Sequence, residues 1–435
     1  MVSYNLSNFH PSKLFNKKFR FSSFVSVFIL SVTSGIHSGM TKFAFTLWLK
    51  SCGVDIIHLA LFSLTFLPDS LKMLWLPFLE SLRLETFLKK VLKRKKRVMG
   101  HRKIWLLLLE VIIIFFTFSF CFIHPKQYHI HHLILYVGFY CAFLATKEAM
   151  SIAYNMEIIK AENWGRLEGK INAGFQTGFW LGGIFLFSLS YYFPWSQLFL
   201  GVTIVLIISL ILTFFIQDSV THQKTNQAKS LKQVFVEPYK DLIFRNKHIL
   251  FSLFAFMVLY RMQDRLLMSV TNYFFVDLGF ANQFLFGKTI GIAATIFGGL
   301  LGSFCVKKYG YKKALIIGIF GHGAASLLFL LQSIYLPKSY SLFYIIMFCE
   351  KFTRGFEATI FFTYQMIFCS KYFIVAQYSI LIALEKLSGT IVSSLSGYII
   401  AWYGWNIFFI FSFFGTIPSL WFLKKLPDSI DEVKK

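Results

Sequence analysis

Seven carboxylates interrupt long apolar runs in this chain: Asp69, Glu110, Glu148, Asp264, Glu350, Glu357 and Glu385. Lys42, Lys72, Lys147, Arg261, Arg265, Lys288, Lys351, Arg354 and Lys386 lie in the same runs. A charge at the centre of a bilayer-crossing helix costs roughly 2.5–3.5 kcal/mol on the gentler insertion scale, and such residues mark ion pairs, proton relays or solute pathways. Spacing offers local pairs. Asp69–Lys72 and Arg261–Asp264 are three apart and Glu350–Arg354 four apart, so each shares a helix face. For Asp69–Lys72 a purely structural pair accounts for the spacing as well as a functional one. Lys42 and the neighbourhood of Glu110 fit snorkelling near helix ends.

Seven carboxylates are more than static pairing needs. Apolar surroundings favour a protonated carboxyl and a nearby cation favours the ionised form. Alternation between two such environments loads and releases a proton, and a membrane potential adds about 2.3 kcal/mol per charge per 100 mV. Asp264, close to two arginines, and Glu350 are the leading expected proton carriers, with Glu148, Glu357 and Glu385 as further candidates. Lys288 and Arg261 are the leading expected contacts for an anionic solute, with Lys72 beside them. Tyr260, Trp180 and Tyr364, near Gln176 and Gln365, could face a sugar or peptide, although ordinary packing explains each as well. No metal is expected, because nothing near the His-rich run 129–132 completes a ligand set. The six cysteines show no metal spacing and read as small buried hydrophobes. No convergent nucleophile appears, so an enzyme is not expected.

The elements that must carry these groups are membrane helices. Of 435 residues 56% are hydrophobic and 15% charged, against about 25% charged in soluble domains. With about 20 apolar residues per crossing, the sequence predicts spans at 21–48, 56–78, 104–123, 132–153, 171–193 and 196–216. A second set follows at 248–275, 284–305, 314–333, 340–367, 374–402 and 405–423. Two six-helix bundles, 21–216 and 248–423, are thus joined by a polar linker at 217–247, with tails at 1–20 and 424–435. The first apolar stretch is longer than a signal-peptide core and reads as a retained helix.

The net charge of +24 does not indicate nucleic acid, because of where it sits. The tails and even-to-odd loops hold 32 of the 44 Lys and Arg, and the opposite loops only Lys50, Lys126 and Lys338. This asymmetry predicts both ends, and the linker, in the cytoplasm. Glycines mark close helix approach: Gly174, Gly178, Gly182 and Gly183 in helix 5, and Gly291, Gly298, Gly299 and Gly302 in helix 8. Their matched placement predicts a sliding interface between the halves. The halves also echo one another, with MGHRK before helix 3 and CVKKYGYKK before helix 9. Parallel repetition of six-helix halves is the plan of the major facilitator superfamily.

The motifs resemble one branch of it, the AmpG-like muropeptide permeases. SLKMLWLP (70–77) is similar to the family's Lys-x-x-Trp-x-Pro segment, and TKEA (146–149) places Glu148 at its helix 4 acid. LYRMQDR (259–265) matches its Tyr, basic residue and Asp at Tyr260, Arg261 and Asp264. GKTIGIAATIFGGLLG (287–302), FCEKFTRG (348–355), CSKYFIVAQYSIL (369–381) and YGW (403–405) continue the likeness and bring in Lys288, Glu350 and Gln377. Glu80-Ser81 departs from the family's acidic-basic end to helix 2, which predicts a weaker gating contact; Ile152, Arg354, Glu357 and Glu385 depart as well. The resemblance implies a monomeric proton-coupled symporter that imports N-acetylglucosaminyl-anhydro-muramyl peptides across a bacterial inner membrane. Its partners would be an anionic glycopeptide and lipid, without nucleic acid and with no cofactor beyond the proton. The alternative cargo is another anionic solute, nucleotide-like or acyl-CoA-like.

Overall fold

The computed structural model describes residues 21–54, 62–82, 84, 100–125, 130–218, 231–280, 283–335, 339–370, 372–415 and 417–428. The tails, most of the basic 2–3 loop, His129 and the middle of the linker lie outside the described residues. Helix 1 is Ser23–Ser51, helix 3 His101–Phe122, helix 4 Ile130–Ile158 and helix 6 Trp195–Phe214. Helix 2 occupies 62–81 and helix 5 occupies 164–189. In the second half, helix 7 is Leu250–Leu259 and Met262–Asp277, helix 8 Phe284–Tyr309, helix 9 Tyr311–Ile334 and helix 10 Tyr340–Ile367. Helices 11 and 12 are 374–403 and 405–423. This is an all-α fold of twelve transmembrane helices in two six-helix halves.

Seven of these stretches are long and apolar enough to cross a bilayer by length and composition, and a bent pair including helix 7 makes an eighth. The others are interrupted or charged. Helix 2 is broken around Pro68 and Pro77, each of which withholds a backbone donor. Helix 5 carries a π-helical segment, Trp180–Phe185, as helix 1 does at Met40–Ala44. Helices 10 and 11 hold several of the membrane-buried charges. Irregular and charged helices are tolerated at membrane depth where they face protein or a cavity.

Three local features differ from the expected plan. The linker forms a helix, Leu231–Arg245, which meets helix 7 at a 101° bend. Helix 5 begins at Trp164 rather than at 171, because Trp164 donates to the Ile159 carbonyl (3.3 Å) and sets the turn that starts it. Helices 8 and 9, and helices 11 and 12, are each joined through a single glycine, Gly310 (φ 81°) and Gly404 (φ 74°). Positive φ is the conformation glycine adopts without steric cost.

The glycine faces correct the sequence reading. Most pack within a half instead of sliding between halves. A Cβ on Gly174 would meet the Phe28 carbonyl of helix 1 at 2.9 Å, and one on Gly178 the Ile36 nitrogen at 2.8 Å. Gly291 and Gly302 pack against Lys351 and Phe356 of helix 10, also in their own half. Across the halves, Gly165 and Gly169 of helix 5 face Val306 and Ser303 of helix 8, and Gly299 faces Asn172. The static cores of both halves are aromatic. Phe45 lies 4.8 Å from Phe120 in the first, and Phe275 lies 4.7 Å from Phe343 in the second.

Candidate functional site

A cavity of about 380 Å³ lies between the halves. Helices 1, 2, 4 and 5 line it on one side, and helices 7, 8, 10 and 11 on the other. Its charged wall contains six cations, Lys42, Lys147, Arg261, Arg265, Arg354 and Lys386, against the carboxylates Asp69, Glu148 and Glu168. Asn172 and Gln176 of helix 5 add amides, and Phe175 and Phe362 add flat apolar surface.

The second half builds its wall from arginines. Helix 7 breaks after Leu259, and Arg261 at the break is buried (4% exposed). Arg261 donates to Asp264 one turn on, Arg354 Nε reaches the other Asp264 oxygen at 3.0 Å, and Arg265 holds Glu385 of helix 11. Arg261 Nε also lies 3.6 Å from Glu385. Three guanidiniums thus face two carboxylates, Asp264 and Glu385. Arg261 Nη1 is buried and has no hydrogen-bond partner among the described residues. A buried polar group left unpaired costs free energy, so this donor favours an incoming acceptor. Its guanidinium stands over the Phe362 ring, 5.4 Å from the centroid.

The first half builds its wall from lysines. Lys72 sits between Asp69 (2.9 Å) and Glu148 (3.3 Å), behind the cavity surface that those two acids line. Lys147 pairs with Glu110 at 2.9 Å, both 1% exposed, and Ser209 donates to the same carboxylate at 3.2 Å. Glu110 is therefore fully buried and paired, not snorkelling. Lys42 is likewise in mid-helix on the cavity, within the π segment of helix 1. His37 lines the cavity, with Nδ1 3.0 Å from the Tyr140 hydroxyl.

The halves are bolted together at the cavity wall and, beyond it, on the side of the linker. Lys386 binds Asp69 across the interface. Asn172 donates to the Thr295 carbonyl at 3.1 Å. The Glu80 carboxylate binds Arg102 (2.8 Å) and accepts the first amides of helix 11, from Val375 (3.4 Å) and Ala376 (3.3 Å). Here Glu80 supplies the acid of this contact and Arg102, from the next helix, the base. A carboxylate at a helix N-terminus also gains from the helix dipole. The linker helix adds Tyr239 to the Met73 carbonyl (2.8 Å), while Gln377 donates to Asp241 (2.7 Å) and to the Pro238 carbonyl (2.9 Å).

The residues expected from sequence thus fall into three places. Arg261, Glu148 and Gln176 line the cavity. Lys72, Asp264 and Glu385 stand directly behind it as ion-pair partners of lining residues. The remainder do not line it. Glu350 is buried and binds Lys351 (2.8 Å); the spacing-based Glu350–Arg354 pair does not form, because Arg354 turns to Asp264. Glu357 is buried beside His322, Oε2 to Nδ1 3.6 Å. Lys288 stands over the Phe43 ring at 5.1 Å. Tyr260 donates to the Leu315 carbonyl (3.2 Å) and stacks on Phe361, while Tyr364 donates to the Pro427 carbonyl (2.6 Å). Trp180 stacks on Phe185, and Gln377 belongs to the linker-side closure. Among the described residues no group of His, Cys, Asp and Glu could hold a metal ion.

Sequence reasoning does not single out His37, Asn172 or Glu168. Glu168 precedes the apolar run that predicts helix 5 only from 171. Its spacing from Gly165 and Gly169, one helical turn of small residues, was the available signal.

Residues 95–384 match the family model described as Major Facilitator Superfamily. A Rickettsia prowazekii protein named as a transporter, AmpG 2, is 28% identical over 428 residues, covering 95% of this chain and all of that one. A Rickettsia bellii protein named as AmpG 1 is 26% identical, covering 93% of this chain and 98% of its own. Among solved structures, the proton:xylose symporter XylE bound to 6-bromo-6-deoxy-D-glucose aligns with a TM-score of 0.62 at 12% identity, over 97% of this chain and 99% of that one.

Proposed function

The chain belongs to the Major Facilitator Superfamily, and on that premise we propose that this multi-pass membrane transporter is a proton-coupled symporter importing anionic muropeptides by alternating access. The observation that carries the reading is the surplus guanidinium of the second half: Arg261 lines the cavity, and its buried Nη1 has no partner among the described residues. An arginine fork suits a carboxylate, which a muramyl peptide supplies. Gln176 and Asn172 suit its amide and hydroxyl groups, and Phe362 its sugar faces. Lys72 braces Glu148 from behind the cavity wall. The likeness to proteins named AmpG supports this cargo. The location is a bacterial inner membrane with both termini in the cytoplasm, as the lysine- and arginine-rich loops favour.

Coupling needs a carboxyl that gains and loses a proton. Asp264 and Glu385 each face two guanidiniums, which suits holding Arg261 in place better than carrying a proton. Glu148 and Glu357 remain the better carriers of the expected set. The linker-side bonds support reading this conformation as closed toward the cytoplasm. The test is uptake of radiolabelled N-acetylglucosaminyl-anhydro-muramyl tripeptide into proteoliposomes. An inward proton gradient is expected to drive accumulation, and a protonophore to collapse it. Accumulation indifferent to the gradient would remove the proton. Full competition by a nucleotide or acyl-CoA, with none by other muropeptides, would change the cargo.

A further inference from the structure

Each carboxylate discussed so far has a cationic or histidine partner; Glu168 has none. It lies on the second turn of helix 5, lines the cavity and is 6% exposed. No Lys, Arg or His nitrogen comes within 4.0 Å of its carboxylate among the described residues. Five of the six cations of the wall pair with other acids, Lys147 with Glu110, Arg261 and Arg354 with Asp264, Arg265 with Glu385 and Lys386 with Asp69, and the sixth, Lys42, makes no ion pair with Glu168. The other ionisable groups on the same wall are His37 on helix 1, Asp69 on helix 2, Cys141 and Glu148 on helix 4 and Tyr378 on helix 11. Helix 8 places Val306, Ser303 and the Gly299 carbonyl against Gly165 and Gly169 on this stretch of helix 5.

We propose that Glu168 is a proton-binding site of the transport cycle, protonated while the linker side is closed. The proposal rests on the proton-coupled reading above. An ionised carboxylate that is nearly buried and has no cation beside it is disfavoured, and a proton is the ligand that relieves it. The proton enters from cavity water and forms an O–H bond on a Glu168 oxygen, leaving the side chain neutral. Tyr378, which shares the cavity wall with Glu168, follows Gln377, a member of the linker-side closure. Withdrawal of helix 11 from helices 2 and 4, on which it packs across the halves, takes Tyr378 off the wall and hydrates Glu168, and the proton leaves to the cytoplasmic water. Thus the same motion that opens the gate changes the solvent of this one carboxyl.

The test uses the full chain in proteoliposomes with the labelled tripeptide. For the wild type, a gradient of one pH unit supports at most about tenfold accumulation per proton carried. Glu168→Gln, permanently uncharged, brings the accumulation ratio to about one with or without the gradient. Glu168→Asp, still titratable, recovers gradient-driven accumulation, which separates the proton role from damage to folding. Glu162→Gln, exposed in the turn before helix 5, stays at wild-type level. Gradient-driven accumulation by Glu168→Gln at the wild-type ratio overturns the proposal. So does a Glu168→Asp as uncoupled as Glu168→Gln at equal expression and thermal stability. A wild type insensitive to the gradient instead sinks the coupling reading itself, and the two failures are read from different samples.

Discussion

The two halves handle buried charge differently. The first uses lysines: Lys147 closes on Glu110, and Lys72 serves both Asp69 and Glu148. The second uses arginines, three of them around Asp264 and Glu385. An ammonium is a compact point charge, whereas a guanidinium is a planar fork that binds in several directions at once. Lys72 leaves its cluster one negative charge over, and the arginine cluster is one positive charge over. Lys386 of the second half reaches back to Asp69 of the first. Lys386 thus offsets the surplus acid beside Lys72, and the unpaired guanidinium nitrogen stays on the arginine side.

Removing the open donor gives the largest effect. Arg261→Met is expected to lower tripeptide uptake by on the order of 100-fold and to destabilise the fold by about 3–5 kcal/mol, since Asp264 and Glu385 lose a buried partner. Arg261→Lys retains the charge without the fork and should recover only part of the rate. Initial uptake rates and unfolding in detergent check both. A wild-type rate for Arg261→Met would end the idea that the arginine half grips the cargo.

The lysine half should behave as structure. Glu110→Gln or Lys147→Met alone is expected to cost about 3 kcal/mol, while the double variant regains much of it, because the pair's desolvation is no longer required. A double-mutant cycle on thermal or denaturant unfolding measures the coupling. A double variant as unstable as the sum of its singles would show that the pair is not the unit. The smallest effect belongs to the bond between the halves. Lys386 and Asp69 are each more than a quarter exposed, so Lys386→Met is worth about 1 kcal/mol. That shifts the gate roughly fivefold toward opening, read as slower alkylation, from the side opposite the linker, of a Ser38→Cys reporter in the cavity.

How far the sequence reveals this contrast depends on distance along the chain. Pairs one turn apart, Asp69–Lys72 and Arg261–Asp264, are legible from spacing, because the helix itself brings them together. Pairs between helices are not: Lys147 finds Glu110, and Arg354 abandons Glu350 for Asp264, because of how helices rotate against one another. The twelve spans follow from apolar length. Glu168 does not, since the first turns of helix 5 are as polar as a loop and only their burial shows them to be part of the bundle. The glycines disclose close packing without disclosing the partner, and most turn out to pack within a half.

The single-residue joints at Gly310 and Gly404 have a mechanical consequence. A connection of one residue has no slack, so helix 11 cannot swing without levering helix 12, nor helix 8 without helix 9. The second half is hinged like a crank, with its elbows at opposite ends. A push delivered at the first turn of helix 11, where the Glu80 carboxylate now sits, travels the length of two helices. Lengthening either joint by a few flexible residues would leave every wall residue in place and still disconnect the handle from the shaft.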